Sequence, residues 1–393
     1  MARRPPSRPI LIAGGGIAGL SAAIALAQAG RRVTLFERER RFTTAGAGIQ
    51  LGPNATRRLM RWGVWERIAA KVVLPEAIYM GDGLTGRALA SVPLGDHVRE
   101  RYGAPYALLH RSDLQAGLMA AARAERRVTL KAGSQIVSFR RQDGGIAARP
   151  DSGRAIAGDA LLCADGLWSA LRGSISPGAE PVFSGRTAWR SLIPVAGLPR
   201  EWRRPAVHLW MAPDAHLVHY PVSGGQFVNV VAVIEDERAT PGWNISGDAD
   251  DLLAAFAQWH RPLRDRLLAR APGWRRWALF TLPGPVRWTK GSAALMGDAA
   301  HPVLPFLAQG AALAIEDADM LARVIAESDS GMAVALARYE VARRDRAARV
   351  QRASANMGRT YHLSGPARAA RNVVLRLAPP SRLLSRLDWL YCV

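Results

Sequence analysis

The chain has 393 residues, 53 of them basic against 32 acidic, for a formal net charge of +21. That length can bury a large core and suits two subdomains. The charge alone would suit nucleic acid, but only three of the basic residues are lysines (Lys71, Lys131 and Lys290). The arginines are scattered, and the densest run, Arg338 to Arg352, includes Glu340 and Asp345, so the composition argues against a nucleic-acid groove. Two cysteines, Cys163 and Cys392, exclude a disulfide framework and point to a reducing compartment.

Taken in chain order, Ile10 to Leu20 reads as a short apolar strand, a glycine turn and the start of an alanine-rich helix. Arg3-Arg4 followed by the apolar stretch Ile10 to Ala29 imitates a secretory or membrane segment. The three adjacent glycines and the charged second strand instead predict a nucleotide-binding unit, a cytoplasmic protein and no stable membrane insertion. Gly14, Gly16 and Gly19 fit G-x-G-x-x-G: one for the tight turn, one for approach of a pyrophosphate, one for close packing of helix on strand. A pyrophosphate would sit at the helix N-terminus, where free N–H groups and the dipole favour anions. Glu37 closes the unit after the apolar run Arg32 to Phe36, where an acidic residue is expected to hold a ribose diol.

The segment Thr43 to Asn54 is rich in small residues and suggests backbone passing close to something flat and large. An amphipathic helix with Leu59, Met60 and Trp62 follows. Residues 75–92 read as strands of a different layer. Arg111 follows an apolar run, where it could reach back to the pyrophosphate, and Ser112 is the expected N-cap of a helix through Arg123. Residues 128–162 predict four short strands. Another apolar strand ends in Asp165-Gly166, which puts Asp165 at a strand's carboxyl end, where ligands sit in α/β sheets. Val182 to Leu282 predicts an antiparallel sheet with a helix near 248–258. Strand alternation puts His216, Val218 and Tyr220 on one face, with His219 on the other. The strand ending in Gly297-Asp298 precedes a long helix to about Glu327 and a second one over about 331–356.

Three separated pieces then stand together: Gly14 to Gly19 with Glu37, Asp165-Gly166, and Gly297-Asp298-Ala299-Ala300-His301-Pro302, followed by Ala308-Gln309-Gly310-Ala311 and Glu316-Asp317-Ala318. This set resembles the single-component FAD-dependent aromatic monooxygenases, the para-hydroxybenzoate hydroxylase superfamily. Trp189-Arg190, His216 to Tyr220-Pro221 and Trp389-Leu390-Tyr391 bring it nearest the salicylate hydroxylase and 3-hydroxybenzoate 6-hydroxylase branch. One departure is Cys163-Ala164 where the family usually has Gly-Ala. The resemblance implies an α/β fold: a discontinuous Rossmann-like FAD-binding domain (1–74, 100–180 and 283–330), an inserted antiparallel substrate domain (75–99 and 181–282) and a C-terminal helical region (331–393). It implies FAD on Gly14, Gly16, Gly19 and Glu37, with Ala18 and Arg38 beside them. Arg111 and Asp165 would lie near the phosphates and Asp298 on the ribityl chain. Gly46, Ala47, Gly48, Gly310 and Ala311 would flank the isoalloxazine, where the amides of a helix starting near Gln309 suit an anionic reduced flavin.

The reaction so implied is hydroxylation of a small aromatic substrate, phenolic and in some cases carboxylated or N-heteroaromatic, by O2 through a flavin C4a-hydroperoxide, with NADH or NADPH as reductant and no metal. A base near neutral pH suits deprotonation of a phenol, and His216 and Tyr220 are the candidates. The competing reading makes them an ordinary sheet histidine and core tyrosine. Arg190 could pair with a substrate carboxylate or bridge two strands; Gln309 joins it as a substrate candidate. Pro305 is expected to place a carbonyl over the site, and His301 to fix the turn before Pro302. The alternatives are an isoprenoid-type flavin reductase, which would favour a larger apolar tunnel, and a non-catalytic flavin-binding regulator with a blocked substrate face. A monomer or a homodimer is consistent with the sequence.

Overall fold

The structure, a computed structural model, describes residues 8–40, 47–142, 144–151, 153–237 and 245–393. Its fold is mixed α/β. The strands that read as continuous apolar runs form a sheet in the order Thr289–Lys290, Ala293–Leu295, Ala160–Cys163, Ile10–Ala13, Val33–Glu37 and Val128–Ala132. Every neighbour pair is parallel except the edge strand Thr289–Lys290, which runs antiparallel to Ala293–Leu295. Its central strands are buried at every position, as expected where helices cover both faces of a parallel sheet. The Ile17–Gln28 helix buries ten of its twelve residues. Four of its buried positions are alanine, and that small surface packs against the Gly310–Ala326 helix.

A second sheet of eight strands has the order Ile245–Gly247, Trp274–Thr281, Val182–Pro194, Phe227–Glu235, Ala215–Val222, Val207–Ala212, Ala77–Asp82 and Ala88–Pro93. One face, with Trp189, Leu217 and Trp274, packs on Phe256, Trp259 and Leu263, which lie on and between the short helices Ala249–Ala255 and Arg261–Arg266. The opposite face presents Ala188 and Val233 to Leu304 and Phe306. Between the two sheets lies a ribbon of Gly48–Leu51 paired with Ala107–His110. The 30-residue Met332–Tyr361 helix runs along the Gly310–Ala326 helix and over the turn at Pro305–Leu307.

The structure departs from the sequence reading in four places. The eight-stranded sheet is mixed, because Val207–Ala212 pairs in parallel with Ala77–Asp82. Five strands rather than four occupy 128–163. The long C-terminal helix continues to Tyr361. Ser112 is not an N-cap: the helix is Arg111–Ala124 with His110 at its cap position, and Ser112 Oγ bonds instead to His110 Nδ1 at 2.5 Å. Among the described residues no helix is long and apolar enough to cross a membrane.

Candidate active site

The glycine turn is shaped by what cannot be there. Gly14 has φ of +107°, and a Cβ on it would stand 2.3 Å from the Ala164 carbonyl oxygen; on Gly19 it would stand 1.9 Å from that of Gly14. At Gly16 the same atom would meet nothing within 4 Å, so Gly16 borders open space at the N-terminus of the Ile17–Gln28 helix. Glu37 holds the turn from its second strand, accepting from Gly15 N at 2.7 Å and Glu39 N at 2.9 Å. Gln115 donates to the Gly15 carbonyl at 3.0 Å. Arg38 is exposed beside Glu39, and Ala18 lies close under Gly297. Gly46 lies outside the described residues.

Asp165 follows Ala164 at the same edge. Its Oδ1 is buried without a hydrogen-bond partner, and its Oδ2 accepts weakly from Leu171 N at 3.4 Å. Burial raises its carboxyl above the ordinary range, against the Ser169 and Leu171 hydrogen bonds. Asp298 is exposed, and its Oδ1 would lie 4.0 Å from a Cβ on Gly310, at the start of the 17-residue Gly310–Ala326 helix. An open space beside Gly16, an orphaned acceptor at Asp165 and an exposed carboxylate at a helix N-terminus together fit a long cofactor carrying a pyrophosphate and hydroxyls. FAD is such a molecule.

Behind that helix start is a buried ionic knot. Asp317 Oδ2 accepts from Gly297 N at 3.0 Å and pairs with His301 Nε2 at 2.6 Å, while Oδ1 accepts from Arg343 Nε at 2.8 Å. Glu316 accepts from Arg343, Arg346 and Asn54. Burial opposes ionisation of both carboxyls, but their partners prevail: Arg346 and Arg343 hold Glu316 at about 2, and His301 with Arg343 holds Asp317 well below its usual range. His301 thus fixes the turn before Pro302. Gln309 joins this knot: its buried side chain accepts from Asn54 Nδ2 at 3.0 Å through Oε1. Pro305 opens the turn Pro305–Leu307 and its carbonyl accepts from Ala308 N at 3.0 Å. One of that carbonyl's lone pairs is therefore committed to the turn rather than open over the site. Ala308, at φ of +53°, makes the left-handed step that launches the helix at Gly310 and Ala311.

On the sheet side, Gly48 N donates to Asn229 Oδ1 at 2.7 Å, and a Cβ on Gly48 would collide with Asn229 and Tyr220. Ala47 is buried and its carbonyl accepts from Arg111 N at 2.8 Å. Tyr106 Oη donates to Gln50 Oε1 at 2.7 Å, and Tyr220 also meets Gln50. Burial keeps the Tyr220 phenol protonated well above its ordinary pKa, so it is a hydrogen-bonding group rather than a base at neutral pH. Arg190 stacks on Trp277 at 4.0 Å, and burial, opposed by nearby Tyr220, lowers it to about 9. Arg190 Nε, Arg111 Nε and Asn229 Nδ2 are buried donors without a hydrogen-bond partner. A cavity of about 400 Å³ opens here between Arg190, Leu192, Asn229, Trp274 and Trp277.

His216 shares the Tyr220 face, as alternation requires. It is 3% exposed, its ring stands edge-on to Phe306 at 5.3 Å, and its Nδ1 bonds to His362 Nε2 at 2.8 Å. His362 Nδ1 reaches Glu235 Oε1 at 3.2 Å. Burial pushes both imidazoles below their ordinary pKa. His219 faces away, accepting from Trp210 Nε1 at 3.2 Å and stacking on His208 at 4.6 Å. The sequence reading missed Gln50, Asn54, Tyr106, Asn229 and His362. Asn229 carried a signal, being the single polar residue in the apolar run from Val228 to Val233; His362 carried none.

Residues 7–354 match the family model described as "FAD binding domain". The 3-hydroxybenzoate 6-hydroxylase of Klebsiella oxytoca is 35% identical over 382 residues, covering 97% of this chain and 96% of that protein. The 3-amino-4-hydroxybenzoate 2-monooxygenase of Streptomyces cremeus is 35% identical over 390 residues, with 97% and 94% covered. The fold matches that of Klebsiella pneumoniae HpxO solved with FAD and uric acid, with a TM-score of 0.85 over 98% of this chain and 97% of that one at 23% identity. The chain belongs to the FAD-dependent aromatic monooxygenases. It takes FAD as cofactor, NAD(P)H as reductant and dioxygen as co-substrate.

Proposed function

We propose that the ring this enzyme hydroxylates carries a phenolic hydroxyl and a carboxylate, as the names of its hydroxybenzoate-acting relatives suggest. The parallel sheet and its helices form the discontinuous FAD-binding part, and the eight-stranded sheet is the inserted substrate part. The observation that carries the substrate class is the pair of partnerless buried donors, Arg190 Nε and Asn229 Nδ2, beside Tyr220. Buried donors without acceptors are costly unless a ligand supplies them. A carboxylate does so, and Arg190 offers it a fork of parallel N–H groups. FAD, when bound, would supply the redox chemistry that activates dioxygen, the source of the transferred oxygen atom. The chain does the rest. Arg190 and Asn229 orient the ring by its carboxylate. His216, about 13 Å along the strand from Tyr220, takes the phenolic proton and makes the ring electron-rich. Apolar Leu304 and Phe306 exclude water. The N–H groups at the start of the Gly310–Ala326 helix favour negative charge on the reduced cofactor.

The test is NAD(P)H oxidation by the flavin-loaded protein with 3-hydroxybenzoate, salicylate, 3-amino-4-hydroxybenzoate, 6-hydroxynicotinate and unsubstituted phenol, with products identified by mass. A carboxylated phenol is expected to give stoichiometric hydroxylation at a KM at least tenfold below that of phenol. Equal use of phenol would remove the carboxylate assignment, and no stimulation by any ring would remove the hydroxylase reading of the site.

A further inference from the structure

A histidine at 3% exposure has no direct exchange of protons with water, and the phenol's proton needs an exit. We propose that His362 and Glu235 are positioning residues that fix the tautomer of His216 and connect it to solvent through two hydrogen bonds, an inference that rests on the phenol-hydroxylase reading above. The Glu235 carboxylate, 47% exposed, can only accept, so His362 carries its proton on Nδ1 at 3.2 Å from Oε1. Neutral His362 then presents a lone pair on Nε2, and His216 must donate Nδ1–H to it across 2.8 Å. The remaining ring nitrogen of His216, Nε2, is left unprotonated, which is the form a base requires.

Burial supports the neutral state of both rings, since it disfavours the imidazolium. The groups facing the pair come from every element around it. Arg186 of the Val182–Pro194 strand lies over Phe306 and 3.4 Å from Glu235, disfavouring a charged imidazole; Asp214 and Glu235 favour one on His362. Tyr361, from the long helix, and Phe306, from the turn, pack against the His216 ring. Transfer then needs no redox partner. The phenol O–H breaks and Nε2–H forms on His216. The Nδ1 proton passes to His362 Nε2, and the His362 Nδ1 proton passes to Glu235 and water. One proton leaves for each phenolate formed, and the reverse order resets both rings.

Protonation of His362 would reverse the inner bond: His216 would accept at Nδ1 and hold its proton on Nε2, losing the base. Activity should therefore fall on the acid side in step with the pair rather than with a lone histidine.

Two measurements test this. Nitrogen-15 spectra of the resting flavin-loaded protein, assigned with His216→Asn and His362→Gln, should show His216 as the Nδ1–H tautomer at neutral pH; an Nε2–H tautomer would overturn the proposal. Anaerobic mixing with the best phenol of the panel, followed with a pH indicator, should release one proton per site. His362→Gln should slow that release and kcat by about 100-fold, in the usual range for losing acid–base assistance, with KM unchanged. Glu235→Gln should lower both about tenfold and Glu235→Asp should restore them. Release at the wild-type rate in His362→Gln, or in the surface variant Glu235→Gln should the first fail to fold, would overturn the relay alone. Absence of any phenol binding or proton release in the wild type would overturn the relay and the hydroxylase reading together.

Discussion

His216 and Tyr220 sit on one face of one strand, and burial acts on both: it lowers the imidazole's pKa, which favours the neutral ring, and raises the phenol's, which keeps it protonated. The prediction at this scale is that His216→Asn retains flavin and loses about 100-fold or more in kcat at neutral pH, measured by product formation. Tyr220→Phe should instead raise KM with a smaller effect on kcat. A companion prediction concerns Asp298, whose carboxylate is exposed beside Gly310. Asp298→Ala should lower flavin per chain or FAD affinity by at least tenfold, read by absorbance and titration; full flavin at the wild-type rate would contradict its assignment. Much of this was legible in the sequence, because strand alternation alone orients His216 and Tyr220. The partner His362 was not, because a bond between residues 146 positions apart leaves no local pattern. The bond between Gln309 and Asn54 was hidden for the same reason, since 255 positions separate the two residues.

Among the elements, the Gly310–Ala326 helix carries the heaviest demand, since the proposal sets its first turn against the cofactor while Glu316 and Asp317 anchor it from behind. Among the described residues, Arg343 alone bonds to both carboxylates. Arg343→Met would leave two buried charges short of a partner and should cost about 3–5 kcal/mol, seen as a lowered denaturation midpoint and weaker flavin retention. The sequence showed Glu316-Asp317 as a motif but not its job, because the partners come from another helix and from Asn54. The Trp389-Leu390-Tyr391 end has the same character: Arg346 caps the Trp389 and Leu390 carbonyls at 2.9 and 2.8 Å, and Tyr391 packs edge-on against Tyr102 and Tyr106. The parallel strands were legible because burial on both faces writes an unbroken apolar run. The parallel pairing of Ala77–Asp82 with Val207–Ala212 was not, because strand direction across so long a separation has no signature in either strand.

Across the described residues, five histidines have their pKa lowered by burial: His208, pushed down to about 4, and His110, His216, His219 and His362. An unfolded chain binds these protons near pH 6.5 and the folded one does so only at lower pH. Stability therefore falls as pH drops below about 6.5 and the loss for each group stops growing at its folded pKa. A histidine whose folded pKa lies below 5 contributes a loss of about 2 kcal/mol at pH 5. The chain should show a denaturant midpoint that declines between pH 7 and 5, well before Glu316 titrates. A flat midpoint over that range would contradict the buried, neutral assignment.

The central claim is that this chain places one atom of dioxygen on a phenolic ring held by its carboxylate. The most direct measurement is turnover of 3-hydroxybenzoate, or of whichever carboxylated phenol gives most product, under oxygen-18 gas with NAD(P)H. The account predicts a product heavier by a single labelled oxygen, formed one for one with reductant consumed. Reductant consumption that yields only hydrogen peroxide with every ring, or a product whose new oxygen comes from water, would contradict it.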